Sequence, residues 1–261
     1  MLEVIDKGGF SATHPVPLLF VHGGLHAAWC WDEHFLKFFA GEGYRAVAVS
    51  LRGHGSSQTP KALRRCSIAD YVDDVFSVAD SLPVTPVVIG HSMGGFVVQK
   101  YLEVHEAPAA VLLASAPARG VLGIALRFAK RHAWRSMKGV VTGESAPAMD
   151  TAAVLRETFF CAQTPKPVVA QCVERFQGES VRAVFDMLLL NLPRPKQVTV
   201  PVLVLGAESD GFLTSADVHA TARAYQTQAE FFPDMGHDMM LEPGWKPVAA
   251  RIHSWLGGQG L

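Results

Sequence analysis

A chain of 261 residues, 49 % hydrophobic and 18 % charged, can bury the core of one large α/β domain or two small ones and is neither disordered nor fibrous in composition. Its 23 Lys and Arg against 24 Asp and Glu leave a net charge of −1, without the basic excess that nucleic-acid or anionic-membrane binding requires. Met1–Lys7 has no basic stretch leading into an apolar run, and no run of about 18 apolar residues occurs, so we expect no signal peptide, no transmembrane helix and a soluble cytoplasmic enzyme or binding domain.

In chain order, short apolar runs that end in Gly or a small polar residue alternate with helical patterns. Leu18–His22 reads as a strand and Trp31–Glu42 as a helix. Arg45–Ser50 is followed by a helix over Ile68–Leu82, and Pro86–Ile89 by one over Met93–His105. Ala110–Ser115 and Val200–Gly206 are further strands, then a helix over Asp217–Tyr225, a strand at Ala229–Phe232 and a helix over Lys246–Leu256. Most of the strands are continuously apolar, the pattern of strands covered on both faces. Ser67, with Asp70 three residues on, is an N-cap signal with an acidic partner. The alternation predicts an α/β fold, a parallel sheet with helices on both sides.

From about Ala118 to Lys196 the alternation stops. Helical patterns continue without a strand, punctuated by Pro147, Pro165, Pro167, Pro193 and Pro195. The expected organisation is a core of residues 1–117 and 197–261 with a helical cap over 118–196, at the strand ends where open α/β sheets bind ligands. The cap carries Phe128, Trp134, Phe159, Phe160, Phe176, Phe185 and Met187, most of them packing residues. Phe159 and Phe160, with Leu25 and Trp29 from the first loop, are the candidate substrate contacts. Arg127, Lys130, Arg131, Arg135 and Lys138 read as a solvated helix face. Cys30, Cys66, Cys161 and Cys172 have no Cys-x-x-Cys spacing, so reduced, structural thiols are expected.

The chemistry lies in Gly90-His91-Ser92-Met93-Gly94, a Gly-x-Ser-x-Gly pentapeptide set between a strand and a helix. A tight turn there exposes the serine hydroxyl, small residues let strand and helix approach, and the helix start offers backbone amides. A serine needs a base and an orienting acid, which in this architecture follow later strands in the order Ser, acid, His. Asp210 follows Val200–Gly206, and His237 follows Ala229–Phe232 and a Gly that permits a sharp loop. Asp210 can fix the tautomer of His237, which takes the Ser92 proton. In Val21-His22-Gly23-Gly24-Leu25, the Gly24 amide is the expected oxyanion donor alongside that of Met93. His22, His26 and His34 lack metal-ligand spacing, and no phosphate loop or dinucleotide fingerprint occurs. Neither a metal nor a cofactor is expected.

Four stretches in this order carry a resemblance over nearly the whole chain: His22-Gly23-Gly24, Arg52-Gly-His-Gly-Ser56, Gly90–Gly95 and Gly236-His237. The sequence resembles the α/β-hydrolase superfamily. Arg52–Ser56 is similar to the capped, monoacylglycerol-lipase-like esterase branch, and Phe20–Trp31 resembles plant methyl-esterase-type enzymes. The resemblance implies a mostly parallel sheet, a helical cap after the sixth strand, and hydrolysis of a small-molecule ester through an acyl-serine. One departure is that Gly206-Ala-Glu-Ser-Asp210 is a residue longer than the usual Gly-x-x-Asp, which leaves Glu208 as a rival acid. The same residues also serve thioesterases, lactonases, carbon–carbon hydrolases, perhydrolases and hydroxynitrile lyases, and a catalytically dead binding module is a further reading. Epoxide hydrolases and haloalkane dehalogenases place Asp where this chain has Ser92.

Overall fold

The computed structural model describes residues 1–131 and 152–261. Its strands are β1 (Val4–Lys7), β2 (Leu18–Val21), β3 (Ala46–Val49), β4 (Val87–His91), β5 (Ala110–Leu113), β6 (Val202–Ala207) and β7 (Ala229–Phe232). They form one sheet in the order β1-β3-β2-β4-β5-β6-β7, parallel throughout except for the antiparallel edge pair of β1 and β3. β2 through β6 are buried along their whole length, as strands covered on both faces must be. β1 is not foreseen from the sequence. Its four residues are half-exposed at the edge, and Val4, Ile5, Asp6 and Lys7 become a strand by pairing with Val49, Ala48, Val47 and Ala46.

The helices flanking the sheet are α1 (Trp29–Asp32), α2 (Phe35–Gly41), α3 (Ile68–Asp80) and α4 (Met93–Tyr101). The helix expected over Trp31–Glu42 is divided in two because His34 leaves helical geometry, at φ −137° and ψ −55°. α3 starts where the cap signal places it. Ser67 accepts from the Asp70 amide at 3.2 Å, and the Asp70 carboxylate accepts from the Ser67 amide at 2.7 Å. It buries Ile68, Tyr71, Val72, Val75, Val78 and Ala79, one stripe at helical spacing.

Between β5 and β6 lie α5 (Leu122–Arg131), α6 (Ala152–Phe159), α7 (Lys166–Arg175) and α8 (Val181–Phe185), the last continuing into a π-helical turn over Asp186–Leu190. No strand occurs among the described residues of this stretch. It follows the fifth strand of this sheet, not the sixth, and Trp134, Arg135, Lys138 and Pro147 lie outside the described residues. Arg127 does more than solvate a face: it reaches the Asp217 carboxylate at 2.6 Å, on the helix α9 (Ser215–Ala224). The final helix is α10 (Trp245–Gly258). No helix among the described residues is long and apolar enough to cross a membrane, and all four cysteines are free and buried.

Strand register positions the site. Val21 pairs with Gly90, His91 with Leu113, and Leu113 with Leu205. The loops that leave β2, β4, β5 and β6 therefore open at one edge of the sheet.

Candidate active site

Ser92 caps α4 with φ +50° and ψ −118°, in a backbone region that side chains rarely enter. The turn is held by the Ser92 amide donating to Leu113 at 3.1 Å and by the Ser92 carbonyl accepting from Phe96 and Ala116 at 3.2 and 3.0 Å. A Cβ on Gly94 would overlap the carbonyl oxygens of Val21 and His22, and one on Gly90 would overlap that of Gly94. Only glycine lets α4 lie this close to β2 and β4.

From the loop after β7, His237 sets Nε2 2.8 Å from Ser92 Oγ. Its Nδ1 is 2.8 Å from Asp210 Oδ2. The other Asp210 oxygen accepts from the amides of Phe212 and Leu213 at 2.7 and 2.8 Å, so the carboxylate is held as an acceptor. With the His237 proton on Nδ1 toward Asp210, Nε2 is free to accept from the serine hydroxyl. Burial by itself would lower the His237 pKa, but the Asp210 carboxylate, helped by Asp238, leaves it above the ordinary histidine value. Glu208 is exposed. Its amide donates to Phe232 at 3.0 Å, and the Ser209 amide to Met235 at 3.0 Å, so the chain runs on beside the β7 loop past Gly206. That extra step brings Asp210, not Glu208, to the imidazole.

The first loop is held by histidines. The His22 ring accepts from the Leu51 amide through Nε2 at 3.0 Å and donates from Nδ1 to the Gly23 carbonyl at 2.8 Å. Burial first, then the neighbouring His54, drives its pKa well below the usual value, so the ring is neutral. In a planar trans peptide the Gly24 amide points opposite to the Gly23 carbonyl, away from His22. A Cβ on Gly23 would sit 3.0 Å from Ser92 Cβ, which places this loop against the elbow. The Met93 amide opens α4 immediately after the serine.

The model of the family described as "Alpha/beta hydrolase family" matches residues 18–251. This chain belongs to that family. It is 25 % identical over 242 residues to the monoacylglycerol lipase of Mycolicibacterium smegmatis, covering 86 % of this chain and 82 % of that protein. It is 36 % identical over 106 residues to the non-heme chloroperoxidase of Streptomyces lividans, covering 39 % of this chain, and it spans only 37 % of that relative's length. The fold superposes on a thermophilic esterase from Thermogutta terrifontis with a TM-score of 0.76 at 22 % identity, covering 100 % of this chain and 94 % of that one.

Around the alpha/beta-hydrolase elbow, aromatic rings from four segments converge. Phe159 and Phe212 lie 5.6 and 5.2 Å from the His237 ring, Phe176 lies 5.6 Å from Phe159, and Trp29 lies 6.5 Å from Phe176. Of the four substrate-contact candidates, Trp29 and Phe159 belong to this wall. Leu25 stands beside it at φ +69°, its carbonyl accepting from the Gln177 amide at 2.9 Å. Phe160 is buried in the core, and its backbone packs on Gly236. Phe212 carries no motif and was not anticipated.

Sequence reasoning also missed the polar residues around the site. Asp238, next to His237, is fully buried and meets His26 Nε2 at 3.0 Å. The buried Glu242 carboxylate accepts from the Gly236 amide at 3.0 Å and from the Cys161 amide at 2.6 Å, and also from the Thr164 hydroxyl. His54, of the Arg52–Ser56 motif, sits 3.2 Å from Glu179, which also receives the Tyr71 hydroxyl at 2.8 Å. His34 stacks on Trp245. No signal beyond residue type marks these partners, since they are joined only by the fold.

Proposed function

We propose that this alpha/beta hydrolase cleaves carboxylic esters of small to medium acyl or aryl substrates through an acyl-serine intermediate. The observation that carries the reading is the unbroken hydrogen-bonded line from Ser92 Oγ through His237 to Asp210, 2.8 Å at each step. Ser92 attacks the ester carbonyl while His237 Nε2 takes its proton. Asp210 holds the imidazole and favours the imidazolium that forms. The Gly24 and Met93 amides receive the negative oxygen. The imidazolium then protonates the departing alcohol, and a water activated by the same base releases the acid. A binding module would have no use for all three aligned groups.

In this reading the stretch over 118–196 is the cap, and the rings of Trp29, Phe159, Phe176 and Phe212 receive the apolar part of the substrate. Relatives named as a lipase and a fold neighbour named as an esterase support an ester, and the chemistry of the site alone admits thioesters and lactones. The test is a panel of p-nitrophenyl esters of increasing acyl length beside thioesters and lactones, with an organophosphonate to label the nucleophile. We expect ester turnover and a stoichiometric adduct on Ser92. An adduct on any other residue would falsify the assignment, and turnover of thioesters or lactones alone would replace the ester.

A further inference from the structure

We propose that His26 is a doubly protonated imidazolium that clamps the oxyanion loop to the loop carrying His237, a positioning residue for the reaction. The ring has no exposure to solvent. Its Nδ1 lies 2.8 Å from the Gly24 carbonyl oxygen, and its Nε2 lies 3.0 Å from Asp238 Oδ2. A carbonyl oxygen and a carboxylate oxygen are both acceptors. A neutral imidazole has one N–H and one lone pair, so either tautomer would aim a lone pair at an oxygen. Two N–H groups satisfy both contacts.

The charge is balanced locally. Asp238 is fully buried, and although burial raises its pKa, the neighbouring histidines, His26 foremost, hold it below the usual carboxylate range. His91 approaches the same carboxylate at 3.7 Å, but its Nε2–H is directed to the His237 carbonyl at 3.0 Å. Burial and the neighbouring His237 push its pKa down to about 3, so it does not carry the balancing charge. The His26 ring also faces those of Trp29, Phe159 and Phe176 at 5.6, 6.1 and 4.7 Å, and it is electrostatically coupled to His22, whose ring is neutral. Arg175 lies over the Trp29 ring at 4.0 Å and is paired with Glu33. Of the histidines near Asp238, His26 is the one hydrogen-bonded to its carboxylate, and it supplies the balancing charge.

The clamp acts on backbone. His22 grips the Gly23 carbonyl and His26 grips the Gly24 carbonyl, so the two peptides that flank Gly24 are each fixed by a histidine. Leu25, immediately after, is held at φ +69°, a left-handed conformation unfavourable for leucine. Releasing the Gly24 carbonyl would free the 24–25 peptide and let Leu25 relax, leaving His22 alone to hold the peptide that carries the Gly24 amide. Asp238 ties this device to His237, its chain neighbour, so the proton-transfer and oxyanion loops are set by one buried ion pair.

The catalytic part of this inference rests on the ester-hydrolase reading, whereas the protonation state does not. The experiment is ring-nitrogen NMR on the full chain with isotope-labelled histidine near neutral pH, with the His26 ring identified through its assigned backbone. We expect a ring with two protonated nitrogens, and a neutral ring, including one facing a protonated Asp238, overturns the proposal. His26→Gln should lower kcat about 10- to 100-fold with KM within about twofold, as for a lost transition-state interaction. An unchanged kcat, or a loss carried by KM, also overturns it. If His26→Gln does not fold, Asp238→Asn keeps an acceptor without the charge, and its His26 ring should lose one proton. Retention of both protons there counts against the ion pair. If no ester is turned over and Ser92 takes no phosphonate, the ester reading fails and the ring spectrum alone decides the charge on His26.

Discussion

At the scale of single residues, each functional assignment makes a distinguishable prediction. Ser92→Ala should leave a folded protein with turnover reduced on the order of 10⁴-fold or more, measured on the preferred ester. Asp210→Asn should cost roughly 10³- to 10⁴-fold, because an amide favours the wrong imidazole tautomer. Exposed Glu208 has no part in orienting His237, so Glu208→Gln should be mild, and the reverse ranking would transfer the acid role. The base must be neutral to act. Asp210 raises the His237 pKa above 6.5, so kcat/KM should be full above that raised value and fall as pH drops through it. In Asp210→Asn the larger raising influence is gone, leaving only Asp238 against burial, so the residual activity should show its acid limb at lower pH. A limb that stays in place would mean that another group sets it. The juxtaposition of Ser92, His237 and Asp210 was legible because each follows an apolar strand and a turn signal. The His26–Asp238 pair was not, because those residues lie 212 positions apart and meet only through the order of the strands.

Secondary-structure elements were legible in proportion to how far their own residues decide their state. β2 through β6 are buried on both faces, so their sequences are continuous apolar runs. β1 takes its conformation from β3, and the break at His34 turns on one backbone geometry, neither of which periodicity reports. The chain end of α6 shows how neighbouring aromatics with the same sequence signature diverge. Both are buried, but Phe159 places its ring 5.6 Å from His237, while Phe160 sets its backbone against Gly236. Phe159→Ala should shift the acyl-length optimum with the chemistry intact, since a methylene in such a pocket is worth about 1–3 kcal/mol. Phe160→Ala should instead cost about 3–5 kcal/mol of stability, read by denaturant unfolding, with the acyl profile kept. An unchanged profile in Phe159→Ala would remove that ring from the pocket.

At the scale of the whole molecule, the stretch between β5 and β6 is fastened to the two loops that carry Asp210 and His237. A Cβ on Gly211, next to Asp210, would overlap the Glu157 carbonyl in α6, and the Asp238 amide donates to the Phe159 carbonyl at 2.9 Å. Glu242 completes the attachment, one buried carboxylate gathering the amides of Gly236 and Cys161 and the Thr164 hydroxyl. Its partners come from the loop before His237 and from the turn after α6, so truncating it should loosen both together. Each buried donor left unsatisfied costs about 1–3 kcal/mol, so Glu242→Ala should lose several kcal/mol in all. In a chain of this size about 1 kcal/mol corresponds to roughly 2–4 °C, so the melting temperature should fall by well over 5 °C. Turnover should fall with it, because Gly236 directly precedes His237, the proposed base. Glu242→Gln retains an acceptor for the two amides and should recover most of the stability and the rate. Wild-type melting and turnover in Glu242→Ala would show that the stretch is held by packing alone.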